Sequence, residues 1–178
     1  MKRENILSVI MPLYNEESSV SMTVADVLAR PETAELIIVD DCSIDSSFEL
    51  VKKIAESDKR IKVFKNEKNR GKGYAVRRGI EQDSSEIVII QDADREYSPS
   101  DYPVLIEPII SGKADVVYGS RFHGGPGRVL YFKHELGNRF LTFISNLLTD
   151  LNFTDMETCY KAFKREIIQN VVLESERF

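Results

Sequence analysis

The sequence predicts an α/β fold, a single domain built on a mostly parallel central sheet flanked by helices. Three observations predict it. Short β-branched runs alternate with stretches of helical periodicity, the signature of strand–helix units that pair in parallel. The runs are apolar almost throughout rather than alternating with polar residues, so both faces of the sheet are expected to be covered. The 178 residues suit one domain with its own core, needing neither disulfides nor a structural metal.

The elements follow in order. Residues 6–11 (ILSVIM) read as a buried strand. Val20, Val24, Val27 and Leu28 then recur at i, i+4, i+7 and i+8, one face of a helix that Ser18 or Ser19 can cap and that ends before Pro31. Residues 35–40 (ELIIVD) form the second strand. Leu50, Val51, Ile54 and Ala55 mark the second helix, capped near Asp45 or Ser46. Residues 61–64 are the third strand, and Ala75, Val76, Gly79 and Ile80 lie on the third helix, after the loop NEKNRGKG. Residues 86–91 (EIVIIQ) make the fourth strand. A helix starts at Ser98 to Ser100 and runs through Leu105, Ile106 and Ile109, before a fifth strand at 115–119 (DVVYG). Residues 122–128 (FHGGPGR) read as a mobile loop. A last helix carries Phe140, Ile144, Leu147 and Leu148 on one face. The chain then passes DMETCYKAFKRE and reaches Phe178 without an obvious closing element, so a truncated domain is expected, with a binding part at about 6–119 and a second part at about 120–178.

Composition excludes several classes. The net charge of −5 argues against non-specific nucleic-acid binding, which needs a positive footprint. Two cysteines without a CxxC pair exclude a disulfide framework or a cysteine-based zinc site and favour a reducing, cytoplasmic location. The amino-terminal apolar run is cut short by Pro12, unlike a secretory signal, and no stretch approaches the roughly 18 apolar residues of a membrane span.

Polar clusters gather where the strands end, the side on which open parallel sheets bind ligands. PLYNEE follows the first strand, DDCSIDSS the second, DADRE the fourth and SRFHGG the fifth. Asp92 and Asp94 lie two apart as an extended strand ends, which would point both carboxylates to one side. Two hard oxygen ligands suit Mg2+ or Mn2+, ions that also bind substrate phosphates. The plainer alternative is a turn in which aspartate caps the next element. Asp40 or Asp41 can accept hydrogen bonds from a base or ribose, while Asp45 either contributes or caps its helix. Tyr14, beside Pro12, Asn15 and Glu16, either stacks on a base or packs.

NRGKGYAVRRG holds Lys72 among glycines but matches neither a Walker nor a Rossmann fingerprint. Lys72 is read as a phosphate ligand, Arg77 and Arg78 as a solvated helix face. Arg121 closes the fifth strand; with Arg128, Lys133 and Arg139 it forms a candidate phosphate patch, since the guanidinium fork binds phosphate bidentately. Position argues for Arg121 alone, and a rim of surface charges is the alternative for the others. His123 and His134 lack partners at metal-ligand spacing, and Cys42 and Cys159 read as small packing residues.

In this order, SVIMPLYNEE, IIVDDCSIDSS, NRGKGYAVRRG, IIQDADREYSPSDYP, VVYGSRF and DMETCYKAF resemble the successive motifs of family 2 glycosyltransferases. The resemblance is strongest to the dolichyl- or polyprenyl-phosphate mannosyl- and glucosyltransferase branch. It implies the GT-A (nucleotide-diphospho-sugar transferase) fold, a UDP- or GDP-hexose donor, Mg2+ or Mn2+, a lipid-phosphate acceptor and peripheral contact with the inner face of a membrane; homo-oligomerisation stays open. It also implies roles. Pro12, Tyr14 and Glu16 would line the nucleotide pocket, Asp41 would meet base or ribose, and Lys72 would lie near the nucleotide. Asp92 and Asp94 would hold metal and diphosphate, Arg121 would face a phosphate, and Asp155 and Lys161 would serve the acceptor. Two residues depart from the pattern. Cys42 replaces the usual glycine of VDDGS, which implies a backbone that tolerates a side chain, and Arg95 adds a positive charge after DAD.

The expected reaction is an inverting displacement at the anomeric carbon through an oxocarbenium-like state. A phosphate acceptor is already anionic and needs no strong base, whereas a hydroxyl acceptor would need a carboxylate such as Asp155 or Glu157. Two other classes remain open. A sugar nucleotidyltransferase would need a glycine-rich basic loop after the first strand, which PLYNEE does not supply; a non-catalytic nucleotide-binding domain would need no acceptor site.

Overall fold

The computed structural model describes residues 5–120 and 132–175, with backbone alone at 132–134. Its strands are β1 (Leu7–Leu13), β2 (Thr33–Asp40), β3 (Ile61–Lys65), β4 (Ile87–Ile90), β5 (Val116–Tyr118) and β6 (Lys161–Lys164). They form one sheet in the order β3-β2-β1-β4-β6-β5. The β1–β2, β2–β3 and β1–β4 pairs are parallel. Strand β6 is antiparallel to both β4 and β5, so five strands share one direction and β6 runs against them. Its sequence, KAFK, is too short to show a period, and it becomes a strand by pairing on both edges.

The expectation that both faces are covered is met. Helices α1 (Val20–Leu28), α2 (Ser47–Ala55) and α4 (Tyr102–Ile110) pack one face, where Val9, Met11, Leu36, Ile38 and Ile89 join their apolar residues. Helices α3 (Lys72–Ile80) and α6 (Arg165–Ile168) cover the other, against Ile10, Val88, Ile37 and Val39. At the strands' amino-terminal end Glu35 is buried and bound by Ser8, Ser84 and Lys62. Those bonds hold its carboxylate below the usual range although burial pushes the other way.

Ser19 stands at the start of α1 but does not cap it; its hydroxyl donates to Glu16 Oε2 at 2.6 Å. At α2 the Asp45 carboxylate accepts the Ser47 N–H at 2.9 Å. The Ser98 side chain caps the 3-10 turn Pro99–Asp101 that leads into α4. Helix α5 (Phe132–Thr149) forms as the periodicity predicts, yet Phe140, Leu147 and Leu148 face outward. Among the described residues no helix is long and apolar enough to cross a membrane.

Close approach of α3 to β1 depends on Gly79, where an added Cβ would fall 2.4 Å from Ile10 Cγ2. Ile10 is fully buried in the central strand, so neither side can yield cheaply. Replacing Gly79 by Ala is expected to destabilise the protein by roughly 1–3 kcal/mol in urea unfolding, despite alanine's better helix propensity. Combined with Ile10→Ala, the two changes together should cost less than their sum, because the second removes the atom that clashes.

Candidate functional site

Strand β1 sits at the point where the chain reverses its order of strand addition. From β1 it steps outward to β2 and β3, then returns to the other side for β4. The β1–β4 ladder ends as Ile10 O accepts the Gln91 N–H at 2.9 Å, while the β1–β2 ladder continues to Leu13 and Asp40. Pro12 lies two residues beyond Ile10 and so faces the same, β4 side, where no ladder bond is lost by its missing N–H. The strands part there, and a cleft of about 290 Å³ opens. Pro12, Tyr14, Glu16, Asp41, Lys72, Asp92 and Asp94 all line it, together with Leu13, Asn69, Gly71, Ala75 and Ala93.

The first two loops of the site hold each other. Asn15 N–H donates to Ser43 Oγ at 3.0 Å, and Asn15 Oδ1 accepts Ile44 N–H at 2.9 Å. Glu16 N–H donates to Ser47 Oγ, Glu17 N–H to Asp45 Oδ2, and Ser46 N–H to Glu17 Oε2. Asp45 is thus a structural residue twice over. Asp40, fully buried, accepts the Ser43 N–H with both oxygens and lies 3.8 Å from Lys65 Nζ, so it shapes the turn and is absent from the cleft wall. Cys42 corrects the expectation of a permissive backbone: its φ is 65°, the left-handed region that glycine favours, at a cost on the order of 1 kcal/mol.

Asp41 anchors the next loop. Its carboxylate accepts Asn66 Nδ2 at 2.7 Å, Arg70 N–H at 3.0 Å and Gly71 N–H at 2.6 Å. Gly71 has φ 97°, which lets the chain turn from that carboxylate directly into α3. Lys72, the first residue of α3, then reaches across the cleft to Asp92, with Nζ 2.5 Å from one oxygen and 2.7 Å from the other. Burial alone would depress the Lys72 ammonium, but Asp92 outweighs it and the pKa is raised. Arg77 and Arg78 are not the solvated face expected of them. Both are half-buried; Arg77 donates to Leu173 O, and Arg78 to Lys65 O at 2.7 Å and Asn66 Oδ1 at 2.6 Å.

Strand β4 stops at Ile90, so Asp92 and Asp94 stand on a turn and not on an extended strand. Their common side comes from how that turn is held. The fully buried Gln91 donates to Asp92 O and Tyr97 O and accepts from Tyr102 Oη, while Thr23 donates to Ala93 O at 2.9 Å. Asp94 also accepts the Glu96 N–H at 2.9 Å, so it shapes the turn while facing the cleft. Arg95 adds no charge to the cleft wall; its guanidinium lies over α1, 3.6 Å from Asp26 and 3.5 Å from Met22 Sδ.

Asp155 and Lys161 come from the last third of the chain. Asp155 is 1% exposed and accepts Asn138 Nδ2 at 2.8 Å; Thr142 donates to Asn138 Oδ1 and accepts the Met156 N–H. Lys161 opens β6 with its ammonium 5.0 Å from the Tyr118 ring centre. Burial, with Lys72 adding to it, depresses its pKa against the opposing pull of Cys159, Asp155 and Asp92. The Cys159 side chain meets Lys72 and Asp92. Burial first, and then the Asp92 carboxylate, raise its thiol pKa. Arg139 instead pairs with Glu135 on its own helix at 2.7 Å and is mostly exposed. Arg121, His123 and Arg128 lie outside the described residues, as do the side chains of Lys133 and His134.

One cleft therefore collects seven of the residues singled out from the sequence. Sequence patterns did not single out Gln91, Thr23, Asn69 or Asn138; the partners of Thr23 and Asn138, Ala93 O and Asp155, come from distant segments. Among the described residues no group of three His, Cys, Asp or Glu side chains is placed to hold a metal ion. The protein itself offers two carboxylates on one wall, hard oxygen donors that fit a Mg2+ or Mn2+ ion sharing its other positions with phosphate oxygens and water.

The sequence profile of the family described as Glycosyl transferase family 2 matches residues 8–172. The UDP-N-acetylglucosamine–dolichyl-phosphate N-acetylglucosaminyltransferase of Methanococcus voltae is 28% identical over 182 residues, covering 93% of this chain and 72% of its own length. The dolichol-phosphate mannosyltransferase of Pyrococcus furiosus is also 28% identical, over 94% of this chain and 48% of its own. The chain thus spans about half to three quarters of these relatives. A mannosyltransferase from Pyrobaculum calidifontis, solved with GDP-Man and Mn2+, shares the fold with a TM-score of 0.67 at 19% identity, over 97% of this chain and 50% of its own.

Because Asp41 orders the loop that launches Lys72, Asp41→Asn should loosen the site before it alters any ligand contact. An amide would set N–H against N–H at Arg70 or Gly71. The expected loss is roughly 1–3 kcal/mol in chemical unfolding, with faster hydrogen exchange at the Arg70 and Gly71 amides.

Proposed function

Because the chain belongs to glycosyl transferase family 2, we propose that it transfers a hexosyl group from a nucleotide-diphosphate sugar to a polyprenyl or dolichyl phosphate. The observation that carries this reading is the cleft at the strand switch, lined together by Asp92, Asp94, Lys72, Tyr14 and Asp41. The printed activities of the relatives, transfer to dolichyl phosphate from UDP-N-acetylglucosamine and dolichol-phosphate mannosyl transfer, support the acceptor class. The donor is UDP- or GDP-linked.

In this reading the base stacks along Tyr14, which is 45% exposed at the rim, and the ribose lies towards Asp41. Lys72 turns from Asp92 to the diphosphate once the donor enters, and the lost pair is replaced by a charge-assisted contact of the same kind. A Mg2+ or Mn2+ ion held by Asp92 and Asp94 would supply positive charge for the departing nucleoside diphosphate. The acceptor phosphate oxygen attacks the anomeric carbon from the face opposite the leaving group, the carbon–oxygen bond to the diphosphate breaks, and configuration inverts. Lys161, and Arg121 by its place in the sequence, hold the acceptor phosphate. The burial of Asp155 supports a phosphate over a hydroxyl acceptor, since a general base must touch the proton it removes and this carboxylate is bound by Asn138.

Titration calorimetry with UDP and GDP, each with and without Mn2+, should show one nucleotide binding more tightly with the metal, and Asp92→Asn should remove that difference. If neither nucleotide binds in the presence of Mn2+, the reading is wrong. Replacing Asp155 by Asn should lower kcat by less than about tenfold, because a general base typically contributes about 10²-fold or more. A loss of that larger size would favour a hydroxyl acceptor.

A further inference from the structure

The β4–β6 ladder ends where Ile90 pairs with Lys161. Beyond that pair, residues 91–98 leave β4 and residues 158–160 lead into β6, and tyrosines take over the bonding. Tyr97 Oη accepts the Cys159 N–H at 3.3 Å, and Tyr160 Oη donates to Ser98 O at 2.7 Å. Each segment thus spends a phenol on the other's backbone. The two rings lie 5.0 Å apart, tilted by 34°, and the Tyr160 ring also meets that of Tyr102 at 6.1 Å. Tyr160 is buried, and burial pushes its phenol pKa up, so it stays a donor. Its carbonyl accepts the Gly119 N–H at 2.8 Å, and a Cβ on Gly119 would fall 3.2 Å from Tyr160 Cβ. Tyr160 therefore touches the turn that carries Asp92 and Asp94 on one side and the end of β5 on the other.

Packing alone does not account for this pair. Two phenylalanines would stack as well. Both hydroxyls are committed to backbone groups, and such bonds fix distance and angle where ring contact tolerates sliding. Other bonds of the turn point elsewhere: Thr23 ties Ala93 O to α1, and Gln91 meets Tyr102 on α4. The tyrosines tie the turn to the strand that opens with Lys161, whose ammonium lies 5.0 Å from the Tyr118 ring centre. We infer that Tyr97 and Tyr160 are positioning residues that hold the Asp92–Asp94 turn, on the donor side, at a fixed distance from Lys161, on the acceptor side. The inference rests on the lipid-phosphate reading given above, in which the two aspartates serve the donor diphosphate and Lys161 the acceptor phosphate. Displacement at the anomeric carbon needs both partners in place, and a shift of about 1 Å can cost roughly 10²-fold. Hydrolysis of the donor by water makes no use of Lys161.

The test compares two rates of the full chain with Mn2+ and UDP-glucose, UDP-N-acetylglucosamine or GDP-mannose. One is transfer to a water-soluble short-chain isoprenyl phosphate; the other is hydrolysis of the donor without it. Tyr160→Phe should lower kcat for transfer at least about tenfold, with donor KM and the hydrolysis rate within about twofold of wild type. Tyr97→Phe, which loses the longer bond, should act in the same direction but less strongly, and its Cys159 amide should exchange faster with solvent. Both variants keep their rings, and Tyr97→Phe carries the test if Tyr160→Phe does not fold. Damage to the fold as a whole would lower transfer and hydrolysis together and leave their ratio unchanged. An unchanged ratio in both variants, or an unchanged Cys159 amide in Tyr97→Phe, overturns the inference and leaves the acceptor reading intact. A wild type that hydrolyses a donor but glycosylates no isoprenyl phosphate refutes the acceptor reading, and the inference with it.

Discussion

Strand β1 bonds to β2 on one side and β4 on the other, and the two ladders end at different heights. The β4 ladder closes at Gln91 N–H on Ile10 O, while β2 stays paired through Leu13. That mismatch is unavoidable where a chain adds strands first in one direction and then in the other, because successive loops must leave on opposite sides. Pro12 stands where the mismatch begins and gives up no ladder bond. Everything that lines the cleft hangs from this parting: Tyr14 and Glu16 beyond the end of β1, Asp41 beyond β2, and Asp92 and Asp94 beyond β4.

An open cleft between polar loops would collapse or fray without internal support, since backbone groups removed from water need partners. The support comes from side chains that a sequence reading assigns to chemistry. Asp45 and Glu17 stitch the first two loops, Asp40 shapes a turn, and Asp41 takes the backbone of Arg70 and Gly71. The charged groups that remain on the wall of the open space are fewer. Lys72 and Asp92 neutralise each other across that space. An anionic ligand can take Lys72, and a cation Asp92, without leaving either charge stranded.

The last third of the chain is organised differently. Asn138, Thr142 and Asn146 turn the polar side of α5 inward, and their bonds fix Asp155 and the chain leading to Lys161. Polar contacts are directional where apolar ones are not, so this helix is held by angle and register more than by area. Its leucines and phenylalanines are released from the core, and their exposure follows from the same choice.

Much of the architecture was legible in the sequence because it rests on local rules. Apolar β-branched runs set β1 to β5, and helical periodicity placed α1 to α5. The uniform apolarity of the strands announced a sheet covered on both faces; polar clusters at strand ends pointed to six cleft residues, and the NRGKG loop to Lys72. Other features escaped because they depend on partners far along the chain. KAFK becomes β6 only by pairing with β4 and β5, and the antiparallel step it introduces has no local signal. Asp92 and Asp94 share a side because Gln91, Thr23 and Tyr102 hold their turn, not because a strand alternates. Periodicity showed that α5 is two-sided but could not tell which side faces inward, since an amphipathic pattern is the same for a helix on a core and for its inversion. The sequence by itself determined the element types and the chemistry available at the strand ends, since backbone propensity and hydrophobic period act over a few residues. Tertiary structure alone decided which carboxylates line the cleft and which are spent on backbone N–H groups, because a hydrogen bond is settled by the donor that arrives within reach.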